Sequence, residues 1–224
     1  HLSDFHIGKD GYEQDKIFKN ILQHIEDESK EKELDLIFIT GDIANKSIEN
    51  EYNAFIENFL EKIPNKSDNK PKIYIVPGNH DLNRTKIKRV NRELTDSKFF
   101  RADKNGLDER QKHEIPAFKD FSEFIQFASI SHNNWLDTPE GIFTDIIELK
   151  DIKIGIIGTN TAWLSRDDKD KEQLSFGVDL VKSGLEEIKE CDTRIILRHH
   201  ANNLFLIHKE KKKKNIFKDF GVIY

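Results

Sequence analysis

Methionine is missing from all 224 residues, and cysteine occurs once, at Cys191. A single thiol excludes an intrachain disulfide, and with no visible signal peptide it sets a cytoplasmic location as the expectation. No apolar run approaches the ~20 residues that a membrane-spanning helix needs, so no membrane partner is expected. The absence of internal repeats removes solenoids and propellers. There is no cationic excess either: a formal charge of −5 gives no general affinity for nucleic acid, though it leaves local patches open. The lack of methionine, with a start at His1, is read as a sign that the natural N-terminus lies upstream.

What is present alternates. Apolar residues are 36% of the chain and charged residues 34%, which fits one domain with a sizeable core and a strongly charged surface. Ile17, Ile21, Leu22 and Ile25 predict a helix over 13–31, followed by a strand at 34–40. Ile48, Tyr52, Phe55, Ile56, Phe59, Leu60 and Ile63 predict a helix over 48–63 with Ser47 as N-cap and Pro64 as its end. A strand at 73–77 completes a β-α-β-α-β start, hence a parallel sheet with crossover helices. Apolar runs at 143–149 and 152–158, joined by Lys150-Asp151, predict a hairpin. A helix at 179–190 and a strand at 194–198 follow. Between Asp81 and the hairpin, 82–142 reads as an insertion, in which Phe118, Phe121, Phe124, Ile125 and Phe127 predict a helix packed on the main domain.

Four apolar runs end in residues that suit metal and phosphate chemistry: Asp4-Phe5-His6, Gly41-Asp42, Gly78-Asn79-His80-Asp81 and His199-His200. Singly, each has a plain explanation. Asp4 fits a turn, Asp42 an Asx-turn, and Gly78-Asn79 an ordinary turn pair. A lone histidine is usually structural, which is how His24, His113, His132 and His208 are read. Together, an amide, imidazoles and carboxylates at successive strand ends have no structural motive. Asp4 and His6 are one residue apart, and in an extended strand they would face the same side. The segment 84–92 holds five basic residues and no acid; it reads either as an electropositive wall for phosphate, starting at Arg84, or as a solvated helix face. The Lys209–Lys214 stretch has no interleaved aromatics and reads as plain surface.

The ordered set resembles the calcineurin-like metallophosphoesterases, whose pattern runs D-x-H, G-D, G-N-H-D, H and then G-H-x-H. The last motif is not in this chain. Gly221-Val-Ile-Tyr224 reads as the start of the strand that would carry it, so the C-terminal part of the domain is expected beyond Tyr224. The resemblance implies an α/β fold, a four-layer α/β/β/α sandwich of two mixed sheets with helices on both outer faces. It implies two divalent metal ions, one held by Asp4, His6 and Asp42, the other by Asp42, Asn79 and His199. Mixed oxygen and nitrogen ligands suit Mn, Fe or Zn. It also implies that His80 is the general acid, with Asp81 orienting its ring, and that His200 and Arg84 lie toward the substrate.

The implied activity is metal-dependent hydrolysis of a phosphodiester or phosphomonoester. Gly41-Asp-Ile-Ala44 followed by Glu51-Tyr52 looks like the branch that acts on small molecules such as cyclic nucleotides. Gly158-Thr-Asn-Thr-Ala-Trp163 resembles bacterial phosphoesterase domains that precede further domains, so additional C-terminal domains are an expected partner. Two alternatives stand beside this reading. One is a DNA nuclease of the double-strand-break-repair branch, which the basic 84–92 segment supports. The other is an inactive protein-binding scaffold on the same fold.

Overall fold

The computed structural model of the chain describes residues 1–11, 13–64, 71–83, 121–128, 142–163, 165, 174, 178–201 and 222–223. The first helix, α1 (Gln14–Glu31), buries Phe18 and packs Ile21, Leu22 and Ile25 against the core, the i, i+3, i+4, i+7 stripe of an amphipathic helix. Strand β1 (Leu36–Thr40) pairs in parallel with β2 (Lys72–Val76), in register from Leu36–Lys72 to Thr40–Val76. On the other side of β1 the N-terminal segment runs parallel, bridging Leu2 to Ile39 and Ile7 to Ala44.

Helix α2 (Glu49–Asn58) is shorter than its apolar period suggests. It breaks at Phe59 and continues as a single 3-10 turn, Leu60–Lys62. Ser47 is not its cap. Ile48 occupies that position without a side-chain cap bond, while Ser47, at φ 55°, turns inward and donates its hydroxyl to the Asp81 carbonyl at 2.6 Å. The buried face of α2 carries Tyr52 and Phe55. Phe55 and Phe59 meet Phe5 with ring centroids 4.7 and 5.3 Å apart, and Phe18 closes the cluster. Burying a phenylalanine is worth roughly 1.5–3 kcal/mol, so this cluster pins the segment around Phe5 firmly to the helices. Helix α3 (Ser122–Ala128) adds Phe127, stacked on Tyr52 at 4.9 Å. This is the expected packing of the phenylalanine-rich segment; Phe118 lies outside the described residues, as do Arg84 and the rest of the basic 84–92 run.

The second sheet has strand order β3-β4-β5-β6, made of β3 (Ile142–Leu149), β4 (Ile152–Thr159), β5 (Thr193–Leu197) and β6 (Val222–Ile223). The β3–β4 hairpin turns on Lys150 and Asp151, both at positive φ (51° and 65°). That pair of left-handed residues matches the strand twist. Helix α4 (Val178–Glu187) is the crossover that makes β4 and β5 parallel, and β6 extends the sheet in parallel.

The two sheets meet through β2 and β3. Tyr74 stacks on Phe143 (6.3 Å, 11° between planes). Asp145 receives the Tyr74 hydroxyl and the Lys72 ammonium, each at 2.7 Å. Burial pushes the Asp145 carboxyl up, but these bonds outweigh it and hold the group below its usual range. With α1 and α2 packed against the first sheet and α4 against the second, the architecture is an α/β sandwich, as expected.

Candidate metal centre

Each candidate side chain sits just after the C-terminal end of a parallel strand. Gly41-Asp42 follows β1, Gly78 to Asp81 follows β2 and Pro77, and His199-His200 follows β5. Asp4 and His6 follow the Leu2 bridge beside β1. Parallel strands bring their ends to one edge, where orphaned loop groups converge.

The glycines explain how the loops approach so closely. Gly41 has φ +90°, and a Cβ there would come within 2.6 Å of the Gly78 Cα. A Cβ on Gly78 would lie 2.5 Å from the Asp42 backbone nitrogen. Only two glycines let the G-D and G-N-H-D loops lie backbone against backbone.

Asp4 and His6 reach the site by a different route from the extended strand expected. Both have left-handed backbone (φ 62° and 48°), as does Asp42 (φ 54°). Non-glycine residues there carry strain of about 1–3 kcal/mol that the surroundings must hold. Here the N–H groups of Asp4 and His6 donate to the carbonyls of Gly41 and Asp42 at 3.0 and 2.9 Å. Phe5, between them, is buried in the phenylalanine cluster. Burying the middle residue turns its two neighbours toward the loops.

Asp42 is the hub. Its Oδ2 lies 3.7 Å from His6 Nε2 and 3.6 Å from His199 Nε2, and His6 Nε2 is 3.9 Å from Asp4 Oδ1. Its Oδ1 accepts the His80 backbone N–H at 2.8 Å. Two groups with metal-ligand spacing result, each with its ligand atoms within 4.8 Å of one another: His6, Asp42 and His80, and Asp4, Asp42 and His199. Asp42 belongs to both.

The protonation pattern fits a cation. His199 Nδ1 donates to the Thr40 carbonyl at 2.7 Å, and His80 Nδ1 to the Asn45 carbonyl at 3.0 Å. A carbonyl can only accept, so in each neutral ring the hydrogen is on Nδ1 and Nε2 presents a lone pair. In His199 that lone pair faces a carboxylate oxygen across 3.6 Å, too far for a hydrogen bond. Two bonds of about 2.1 Å meeting at a tetrahedral angle separate their ligand atoms by about 3.4 Å. Burial, opposed by Asp42 and reinforced by His80, holds the His6 ring below its usual pKa and so favours the neutral ligand form. The donor set therefore fits divalent metal. Asn79, half-buried in the turn between Gly78 and His80, has no side-chain hydrogen bond among the described residues.

Two expectations are corrected. Asp81 does not orient the His80 ring; the Asn45 carbonyl does. Asp81 is fully buried and ties the loops together, accepting N–H groups from Gly78 (2.9 Å) and Ala44 (3.1 Å) and the Tyr52 hydroxyl (3.1 Å). Burial, then the Asp42 charge, pushes its carboxyl up to about 6. His200 is not toward the open side. It is 7% exposed, bonded to the Thr161 hydroxyl at 3.0 Å, and its ring is pushed down to about 3, by burial first and then by His199. The Thr40 and Asn45 carbonyls that orient the imidazoles are backbone groups, with no side-chain signature in sequence. Tyr52 is legible only as part of the helical stripe.

An uncharacterized metallophosphoesterase-like protein of Bacillus subtilis (strain 168), YydB, is 32% identical over 84 residues. The aligned stretch covers 37% of this chain and 17% of that protein. The sequence pattern of the calcineurin-like phosphoesterases matches residues 1–223. The chain belongs to the calcineurin-like phosphoesterase family.

Proposed function

We propose that the protein is a metal-dependent phosphoesterase in which Asp42 would help to hold each of two cations. The observation that carries the reading is the position of Asp42 in both ligand groups, facing the lone-pair nitrogen of His199. Asp4, His6, Asp42, Asn79 and His199 would hold the ions, with Mn, Fe or Zn the best match to a mixed oxygen and nitrogen set. Bound there, divalent cations neutralise phosphate charge and make water a nucleophile at neutral pH.

The chain's own groups supply the rest. As the water oxygen bonds to phosphorus it releases one proton to solvent, the bond from phosphorus to the leaving oxygen breaks and its electron pair stays on that oxygen. His80 as imidazolium gives the leaving oxygen its Nε2 proton. The ring is then left as the Nδ1–H tautomer, the form that the Asn45 carbonyl selects. Donation from Nε2 rather than Nδ1 is thus set by the backbone.

The substrate class is a phosphodiester or phosphomonoester; a nucleotide is compatible. The basic segment 84–92 favours a nuclease as the second reading, and DNA binding that weakens steeply with salt would distinguish it. A scaffold has no use for two carboxylates and three imidazoles gathered at one loop cluster. Among the described residues no helix is long and apolar enough to cross a membrane. The test is hydrolysis of bis(4-nitrophenyl) phosphate by the full-length protein. Activity restored to chelator-stripped protein by Mn²⁺ is expected; a rate indifferent to chelation would sink the proposal.

A further inference from the structure

Glu51 points inward from the first turn of α2 and is only 5% exposed. Among the described residues it has no cationic partner. A carboxylate in that position is costly unless hydrogen bonds hold it. Its Oε2 accepts the N–H of Lys46 at 2.8 Å and shares the N–H of Asn45, at 3.2 Å, with the Ile7 carbonyl.

The N–H of Lys46 and the carbonyl of Asn45 belong to the same peptide group. That carbonyl is the acceptor for His80 Nδ1. Glu51 and His80 therefore grip opposite ends of one planar unit, whose N–H and C=O point in opposite directions. The other anchors of this loop lie on either side. Asp81 holds the N–H groups of Ile43 and Ala44, and Ser47 bonds the Asp81 carbonyl. Among the described residues only Glu51 holds the Lys46 N–H end. A negative charge on the N–H end also polarises the carbonyl at the other end, strengthening it as an acceptor.

We infer that Glu51 is a positioning residue for His80, acting through the Asn45–Lys46 peptide. It keeps that peptide from rotating, and so fixes which imidazole nitrogen carries the permanent hydrogen and which delivers the proton. The catalytic consequence rests on the phosphoesterase reading above; the structural one does not.

The experiment compares full-length Glu51→Ala, Glu51→Asp and Glu51→Gln, alone and combined with His80→Ala. One readout is the His80 tautomer, from imidazole ¹⁵N shifts of the metal-free protein. The other is turnover of a diester with a poor, alkoxide leaving group against one that releases 4-nitrophenolate. Glu51→Ala should mix the His80 tautomers and slow the alkoxide substrate about 10–100-fold, the range for a residue that orients a ligand or catalyst. The nitrophenolate substrate, which needs no proton, should slow far less. No further loss should appear when His80 is already alanine. Glu51→Gln keeps an oxygen that can accept the Lys46 N–H and should restore the tautomer and most of the rate. Glu51→Asp, one methylene shorter, should behave like Glu51→Ala and carries the same test if the alanine variant does not fold. An unchanged tautomer in both shortened variants, or a loss that adds in full to that of His80→Ala, overturns the inference. Mixed tautomers in a protein that hydrolyses no ester would uphold the positioning role and overturn the phosphoesterase reading instead.

Discussion

Replacing Gly78 with alanine tests whether the contact between the G-D and G-N-H-D loops sets the metal site. Gly78 does not have the positive φ that burdens Gly41, so an added methyl acts through contact alone. Its Cβ would lie 2.5 Å from the Asp42 backbone nitrogen and 2.9 Å from the Asp42 Cγ, and closer still to Oδ1. These gaps are roughly 1 Å short of an ordinary carbon contact. Rotating the carboxylate does not relieve them, because one obstacle is backbone. The Asp42 loop has to withdraw, and overpacking of this kind costs about 1–3 kcal/mol. For a chain of this size that lowers Tm by about 2–12 °C. A displacement near 1 Å in a hub that both ligand groups share should cost on the order of 10²-fold in turnover. The assay is metal content after dialysis, diester turnover and Tm on full-length Gly78→Ala protein. A folded variant with wild-type metal content and rate would refute the argument that this contact positions Asp42.

His80→Ala should keep its metal and lose about 10²–10⁴ in turnover with poor leaving groups, but much less with 4-nitrophenolate. Loss of a metal equivalent, measured by elemental analysis, would instead make His80 a ligand, as its place beside His6 and Asp42 allows. Asp145→Asn should destabilise the protein at neutral pH by about 1 kcal/mol, since the Lys72 pair is partly exposed. The sign follows from the depressed folded-state pKa of Asp145. Its stabilisation is complete above the ordinary aspartate value of about 3.9 and fades as pH falls through the folded value. The Tm gap between wild type and Asp145→Asn should therefore close on acidification; a gap independent of pH would contradict the ion pair.

Much of the fold was legible because the signals were local. Lys150-Asp151 between two apolar runs specified the hairpin, and the step from 3.6-residue periods to short apolar runs located β1, β2 and β5. The motif order named residues that the structure gathers at one loop cluster, since loops that leave parallel strands converge. Backbone conformation was not legible. Nothing in Asp4-Phe5-His6 announces left-handed φ values, and the extended reading failed because Phe5 is drawn into the phenylalanine cluster. Ser47 has the composition of a cap, yet it serves the Asp81 carbonyl. Asp81 beside His80 suggested a direct pair, whereas the turn sends its carboxylate inward to three backbone N–H groups and Tyr52. Glu51 did carry a signal. It lies four residues before Phe55, on the buried face of α2, where an acid needs a reason to be.

The most direct test of the account is metal stoichiometry with and without the shared carboxylate. Chelator-stripped full-length protein is titrated with Mn²⁺ by calorimetry, beside Asp42→Asn, which keeps the size of the side chain and removes its charge. The account predicts two ions per chain in the wild type. Because Asp42 serves both groups, both ions should bind much more weakly in the variant, and hydrolysis of the diester should vanish. Two tight ions in Asp42→Asn, with diester turnover intact, would contradict it.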